Sequence, residues 1–390
     1  MARVRLLTAG ESHGPALTGV LDGIPAGLPL DEETLRRDLA RRQKSAGAGA
    51  RMAIETDGAR ILSGVMAGRT TGAPIALLIE NRDHANWKGK AVPPMTTPRP
   101  GHADLAGALK YGQDDFREVL ERASARETAV RVAAGAVARE LLAAFGIRVG
   151  GYVSALGPVA AALDAMPFAD RLDKALASPV LCPDEAAGTA MEAAIAEAAK
   201  AGETLGGVIE VIALDLPPGL GSYVQADRRL DAILGAAILS VPAMKGVEIG
   251  PAFANTRLPG TQVHDPIRKE GDRLVRPSDR SGGTEGGMST GQPIWIRAAM
   301  KPIPTTLKPQ PSVNGLTGVP GPMTYERSDV CPVPRAVAVL EAVTALALAD
   351  ALAEKLGGDS IGEMKPRFEA LRGARLSDLK LKGEPQVFWP

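Results

Sequence analysis

Aromatic side chains are scarce in this 390-residue sequence: 6 Phe, 4 Tyr and 3 Trp leave little for the base-stacking platforms of a single-strand nucleic-acid binder. Net charge is absent as well. With 45 Lys plus Arg against 45 Asp plus Glu there is no general attraction to a polyanion, so basic residues matter only where the chain clusters them. Cys182 and Cys331 are the only cysteines. Lying far apart without a CxxC spacing, they exclude a disulfide framework and a zinc knuckle, and they suit a reducing compartment. The four histidines, at 13, 84, 102 and 264, include no HxxxH pair and no carboxylate completing a metal triad, so no metal is expected. MARVRLLTAGESHG lacks an apolar h-region, and the most apolar run, Ala336–Leu352, contains Glu341 and Asp350. The expectation is a soluble cytoplasmic protein with neither a membrane span nor a nucleic-acid partner.

Glycine and proline are plentiful instead, at 44 and 31 residues. That is roughly a fifth of the chain against about 12% ordinarily. Combined with 45% hydrophobic residues, it describes a folded protein with many turns and long ordered loops. Short apolar runs read as strands at Val4–Leu7, Met52–Ile54, Ile61–Val65, Pro74–Ile79, Val149–Leu156, Val208–Leu214 and Ile294–Ala299. Helical periodicity covers Leu30–Arg42, Ala125–Phe145, Asp184–Ala201, Asp227–Leu239 and Pro334–Leu356. Ser124 and Glu127 have capping-box spacing ahead of the second helix, and Gly146 is placed to end it in the left-handed conformation. Strands and helices do not alternate regularly, which favours an α+β fold of antiparallel hairpins packed on helices over a doubly wound parallel sheet. Pro93–Pro100 and Lys301–Pro311 read as rigid loops.

Chemistry concentrates in a few segments. Gly10–Gly14 (GESHG) follows a strand and sets His13 among glycines, while His102 sits in Arg99–Asp104 (RPGHAD). A strand-end histidine is often structural. Two in Gly-flanked loops suggest acid–base work near neutrality. Ser12 lacks the surroundings of a hydrolase nucleophile. Arginines outnumber lysines 31 to 14. Arg36, Arg37, Arg41, Arg42 and Arg51 surround the glycine-rich Ser45–Ala50, and Arg122 and Arg126 flank Ser124. Guanidinium forks beside a helix N-terminus suit a small ligand with several anionic groups, although 36–42 reads equally well as a solvated helix face. Arg280–Gly291 (RSGGTEGGMSTG) precedes a strand rather than a helix, so it is neither a Rossmann fingerprint nor a P-loop. It reads either as a backbone cradle for a cofactor or as a plain flexible loop. Lys301–Thr305 offers a cation and a hydroxyl, and Asp329 lies beside Arg327 ahead of the last long helix. These residues point to an enzyme for a small polyanionic substrate; they do not display its reaction.

Taken together, GESHGPALTGVLDG from Gly10, RPGHAD from Arg99, LERASARETAVRVAAGAV from Leu120 and RSDVCPVPRAVAVLEAV from Arg327 resemble chorismate synthases. The resemblance extends in order through VPAMKGVEIG (Val241–Gly250), EGGMSTGQP (Glu285–Pro293) and KPIPT (Lys301–Thr305), so residues 1–390 are expected to form a single domain of that kind. It implies a β-α-β sandwich with helices between antiparallel sheets, assembled as a homotetramer. The implied reaction is the trans-1,4 elimination of phosphate from 5-enolpyruvylshikimate 3-phosphate to give chorismate, the aromatic branch point. Reduced FMN is required without net redox change, consistent with the need for an electron reservoir that no side chain supplies. By motif position, His13 protonates the departing phosphate, His102 lies near flavin N1, and Asp329 acts near N5. Ser12, Arg42, Arg51, Arg99, Arg126 and Arg327 hold substrate anions. The flavin contacts Arg122, Ala123, Ser124, Pro242, Ala243, Gly286, Lys301, Pro302, Ile303, Pro304, Thr305 and Arg327. Without a large insertion, the chain's length favours an outside reductant over NADPH reduction of flavin by the chain itself.

The sequence departs from the pattern GxGRGxRM in one place: Ala48 stands where an anion-binding arginine is expected. Losing one charge-assisted hydrogen bond of about 1.5–3 kcal/mol implies roughly a 10- to 150-fold loss in substrate handling. A poorly active or non-catalytic flavin and anion binder is the alternative, against which the retention of His13, His102 and Asp329 counts.

Overall fold

The computed structural model describes residues 3–43, 57–326 and 328–389. Two antiparallel sheets enclose a layer of helices, as an α+β sandwich requires. The first sheet holds β1 (Arg5–Ala9), β2 (Ala16–Asp22), β3 (Ala59–Ile61) and β4 (Ile75–Glu80) in the order β1-β2-β4-β3. The second holds β5 (Arg148–Leu156), β6 (Val159–Ala160), β7 (Gly207–Leu214), β8 (Met244–Ile249) and β9 (Ile294–Met300) in the order β8-β9-β7-β5-β6. Period-two burial explains why the first sheet is one-sided. Leu17, Leu21, Ile75, Leu77 and Ile79 are sealed against the helices, whereas Leu7 and Val20 face outward and exposed.

Three helices form the filling: α1 (Glu32–Gln43), α2 (Thr128–Ala143) and α3 (Val333–Leu356). Helix α2 packs on the first sheet, α3 on the second, and α1 on both of these helices. Apolar on nearly every face, α3 has the composition of a wholly buried helix. Among the described residues it alone is long and apolar enough to cross a membrane, and it lies mostly inside the fold. Its Glu341 is sealed in the core, where it accepts from Arg41 Nη1 and Nη2 at 2.6 and 2.8 Å and from the Gly151 N–H at 2.8 Å. Burial alone pushes this carboxyl upward, but the Arg41 and Arg139 charges outweigh it and leave its pKa lowered. Helices α2 and α3 cross at Gly135, where an added Cβ would lie 2.2 Å from the Ala342 Cβ.

The structure corrects some local expectations. Ile61–Val65 is not one strand: a turn at Ser63–Gly64 separates β3 from a small hairpin of Val65–Met66 with Arg69–Thr70. Ser124 and Glu127 do not form a capping box. The Ser124 hydroxyl accepts the Arg126 N–H at 3.3 Å and heads a 3₁₀ turn over Ala125–Glu127, while the Glu127 carboxylate pairs with Arg131. Gly146 does end the segment, with φ +77°. The expected strand Met52–Ile54 lies outside the described residues. Strands β2 and β8 were not anticipated, nor were helices Asp104–Tyr111, Phe116–Ala123, Phe168–Ala175 and Ile361–Glu369.

Candidate active site

A cavity of about 460 Å³ opens beside the N-termini of α2 and α3. Five cations, Arg42, Arg99, Arg126, Lys301 and Arg335, stand on its wall against two carboxylates, Glu326 and Asp329. Such an excess favours an anionic occupant. Much of the remaining lining is apolar: Leu120, Val241–Ala243, Met300, Ile303, Pro304, Ala336 and Val339.

His13 arrives on the turn between β1 and β2. Gly10 makes that turn possible: its φ is +111°, and a Cβ would lie 2.5 Å from the Ala16 carbonyl oxygen. Glu121 grips the loop twice, accepting from the His13 backbone N–H at 2.7 Å and from Nδ1 at 2.6 Å. Since an ionised carboxylate only accepts, Nδ1 carries a proton and Nε2 is left for chemistry. Nε2 lies 3.9 Å from Asp83, and Trp87 stacks on the ring with centroids 4.1 Å apart. The neighbouring Ser12 hydroxyl is buried and reaches the Ser124 hydroxyl at 3.1 Å.

His102 is held in the same way. Its Nδ1 lies 2.5 Å from Asp104 Oδ1 and 2.9 Å from Arg99 Nη2. Asp104, fully buried, also accepts from Arg99 Nε and Nη2 at 2.8 and 2.9 Å and from the Arg99 backbone N–H at 3.0 Å. Burial by itself raises the Asp104 pKa, but the bonds from Arg99 and His102 hold it far below the ordinary carboxylate range.

Behind the cavity Asp57 joins two arginines, accepting from Arg126 Nη1 at 2.5 Å and from Arg42 Nη1 at 3.4 Å. Arg42 also donates to the Thr128 hydroxyl and the Ala125 carbonyl, and Arg126 to Asn81. Burial pulls the Arg42 pKa down to about 10, with Asp57 opposing. Burial and then the Lys245 charge lower the Lys301 pKa, while its ammonium donates to the Gly101 carbonyl at 2.9 Å. Ala243 adopts φ +70°, a strained conformation for a non-glycine residue. Asp329 pairs with Arg335 at 2.7 Å.

The structure therefore gathers Ser12, His13, Arg42, Arg99, His102, Ala123, Ser124, Arg126, Pro242, Ala243, Lys301, Ile303, Pro304, Thr305 and Asp329 around one cavity. It does not bring in Arg122, whose guanidinium bonds the Thr8 and Gly10 carbonyls, or Pro302. Gly286 lies exposed at the tip of a hairpin, Thr284–Glu285 with Met288–Ser289, so RSGGTEGGMSTG builds a tight turn away from this cavity. Arg36, Arg37 and Arg41 pair with Glu33, Glu140 and Glu341, leaving only Arg42 of that helix in the site. Ala48, Arg51 and Arg327 lie outside the described residues. Asp57, Asp83, Asp104, Glu121 and Arg335 were not singled out in sequence. Asp104 carried a signal, two residues after His102 and in the same motif.

The family model for chorismate synthase matches residues 4–353. This chain belongs to the chorismate synthase family. It is 51% identical over 389 residues to the chorismate synthase of Chlorobaculum tepidum, covering 95% of this chain and 98% of that one. It is 52% identical over 379 residues to that of Trichlorobacter lovleyi, covering 93% and 97%. A chorismate synthase crystal structure aligns with TM-score 0.78 at 43% identity, over 94% of this chain and 96% of the other. As a chorismate synthase family member it is a lyase acting on a phosphate-bearing substrate, and the cation-lined cavity is of a kind that such a substrate requires.

Proposed function

We propose that this chain catalyses the FMNH2-dependent trans-1,4 elimination of phosphate from 5-enolpyruvylshikimate 3-phosphate, giving chorismate. The observation that carries the reading is the pairing, in one cavity, of two carboxylate-oriented histidines with a wall of buried arginines. The reaction loses a proton and a phosphate from non-adjacent carbons with no net redox change.

Each residue has a part. His13, as an imidazolium whose Nδ1–H is given to Glu121, presents Nε2–H as the proton donor to the departing phosphate oxygen. Arg42 and Arg126, fixed by Asp57, receive the phosphate and carboxylates, and Ser12 adds a hydroxyl. Arg99 is held against Asp104 and with it fixes the His102 ring. Asp329 sets a carboxylate at the reacting side. The sites fit a flavin: Val241–Ala243, Ile303 and Pro304 offer an apolar wall for a flat ring, and Lys301 stands beside them as a cation. When bound, reduced FMN supplies the electron reservoir that bond-breaking at two separated carbons needs. His102 is assigned to the N1 side of the ring and Asp329 to the N5 side.

A cytoplasmic homotetramer, with flavin reduced elsewhere, completes the proposal; exposed Leu7 and Val20 on the first sheet supply apolar surface for assembly. The test is anaerobic mixing of protein, 5-enolpyruvylshikimate 3-phosphate and chemically reduced FMN. Equal release of chorismate and phosphate, absent with oxidised FMN, is expected. Tight binding of both ligands without product would instead favour a non-catalytic binder.

A further inference from the structure

We infer that Arg335 is an oxyanion-binding residue of this cavity, taking a phosphate or carboxylate group of the substrate through the edge of its guanidinium formed by Nε and Nη2. The inference rests on the reading that the cavity receives a small polyanion. Arg335 lines the cavity and is 9% exposed. Its Nη1 is engaged by Asp329 at 2.7 Å, but Nε and Nη2 are buried with no hydrogen-bond partner among the described residues. These two nitrogens are adjacent and donate in parallel, the arrangement that grips two oxygens at once. The same edge is filled elsewhere in this molecule. Arg99 gives Nε and Nη2 to the two oxygens of Asp104 at 2.8 and 2.9 Å, and Arg276 gives them to Glu285 at 3.0 and 2.8 Å. In Arg335 alone of the three, on a residue that lines the cavity, the fork meets no carboxylate among the described residues.

A second observation agrees. Arg335 stands in the first turn of α3, where the helix dipole disfavours a cation, and no side-chain cap is made there. An anion at that point reconciles both, because it pairs with the fork and lies at the positive end of the helix. Buried polar groups are ordinarily bonded, so two adjacent unmade donors mark a place where a ligand completes the structure.

Arg335→Lys tests the assignment, since lysine keeps the charge beside Asp329 but has no fork. Binding is read by calorimetry without turnover, using 5-enolpyruvylshikimate 3-phosphate, chorismate, inorganic phosphate and FMN as separate probes, with circular dichroism confirming the fold. Loss of one to two charge-assisted bonds predicts roughly a 10- to 100-fold rise in Kd for the substrate, with FMN affinity within threefold of the unaltered chain. A parallel loss for chorismate assigns the fork to a carboxylate; a parallel loss for inorganic phosphate alone assigns it to the phosphate. Unchanged substrate affinity, or a loss confined to FMN, overturns the inference. Should the unaltered chain bind substrate yet form no chorismate, the proposed reaction fails while these binding data still judge the fork. Should it bind no substrate, the phosphate-dependent rise in Tm decides, and an equal rise in Arg335→Lys counts against the fork. A crystal structure of the substrate complex gives an independent answer: two ligand oxygens within about 3.2 Å of Nε and Nη2 support it, and their absence refutes it.

Discussion

Gly135→Ala is the sharpest test of how the helical layer is built. Alanine is worth about 1 kcal/mol more than glycine in a helix interior, so propensity alone predicts stabilisation. Space predicts the reverse. The new methyl would sit 2.2 Å from Ala342 Cβ and 2.5 Å from its Cα, whereas carbon atoms rest about 3.5–4.0 Å apart. No flexible side-chain end is available to give way, so the two helices must part by more than 1 Å. Overpacking of that kind costs about 1–3 kcal/mol and sometimes more, and here every neighbour is backbone or Cβ. Set against the propensity gain, the expected net loss is about 1–2 kcal/mol, toward the upper end because nothing nearby can give way. The strain reaches the cavity too, because Thr128 on α2 and Arg335, Ala336 and Val339 on α3 line it. Ala342→Gly alone is expected to lose about 1–2 kcal/mol from propensity and a vacated methyl. In the double variant the methyls simply change sides, so stability should return to within about 1 kcal/mol of the parent. Urea unfolding of all four proteins measures the coupling. Strict additivity, or a stabilised Gly135→Ala, would refute this account of the crossing.

Three further outcomes are expected. His13→Gln should lower kcat by roughly 10²–10⁴ while substrate still binds, as single-turnover kinetics and calorimetry can separate. Ala48→Arg should raise kcat/KM by about 10-fold or more; kinetics equal to the parent would remove any handicap at position 48. Asp279 has its pKa raised to about 6 by burial, only partly offset by the Gly283 N–H, and its Oδ2 is buried without a hydrogen-bond partner among the described residues. Stability it contributes in the protonated form is complete below pH ~4, the unfolded value, and is lost as pH rises through about 6. Asp279→Asn should flatten that part of the pH–stability curve in urea titrations at pH 4.5, 6 and 7.5, and an unchanged slope would exclude Asp279 as its source.

Sequence patterning reveals elements that pack locally and conceals groups that act across the chain. Short apolar runs made Pro74–Ile79 and Ile294–Ala299 readable as strands, and helical periodicity made Pro334–Leu356 readable as a helix, each within a residue of the observed bounds. Strand β2 was obscured because its glycine at 19 and polar Thr18 dilute the alternation; in the structure Gly19 is where Val130 of α2 meets the sheet. The site residues found were those carried by motifs. Those missed were partners: Asp57, Asp83 and Glu121 act on Arg126 and His13 from 69 to 108 positions away and look like ordinary surface acids in the sequence. Arg335 did leave a trace, a cation in the first turn of an otherwise apolar helix, against the preference of the dipole.

Helix α3 is among the last parts of the chain to leave the ribosome, yet it is the piece against which β5, β7 and α2 close. At about 5–20 residues per second, α2 waits on the order of tens of seconds after its own synthesis for α3 to pack against it. During that interval the emerging α3 segment has the hydropathy of a membrane span. Glu341 discourages that diversion, since an acidic group in the middle of an inserting helix costs on the order of 2.5–3.5 kcal/mol. Once Arg41 and Arg139 are in place the same carboxylate becomes a latch for the folded core. One side chain thus biases the nascent segment toward the ribosome's aqueous side and then fixes where it comes to rest.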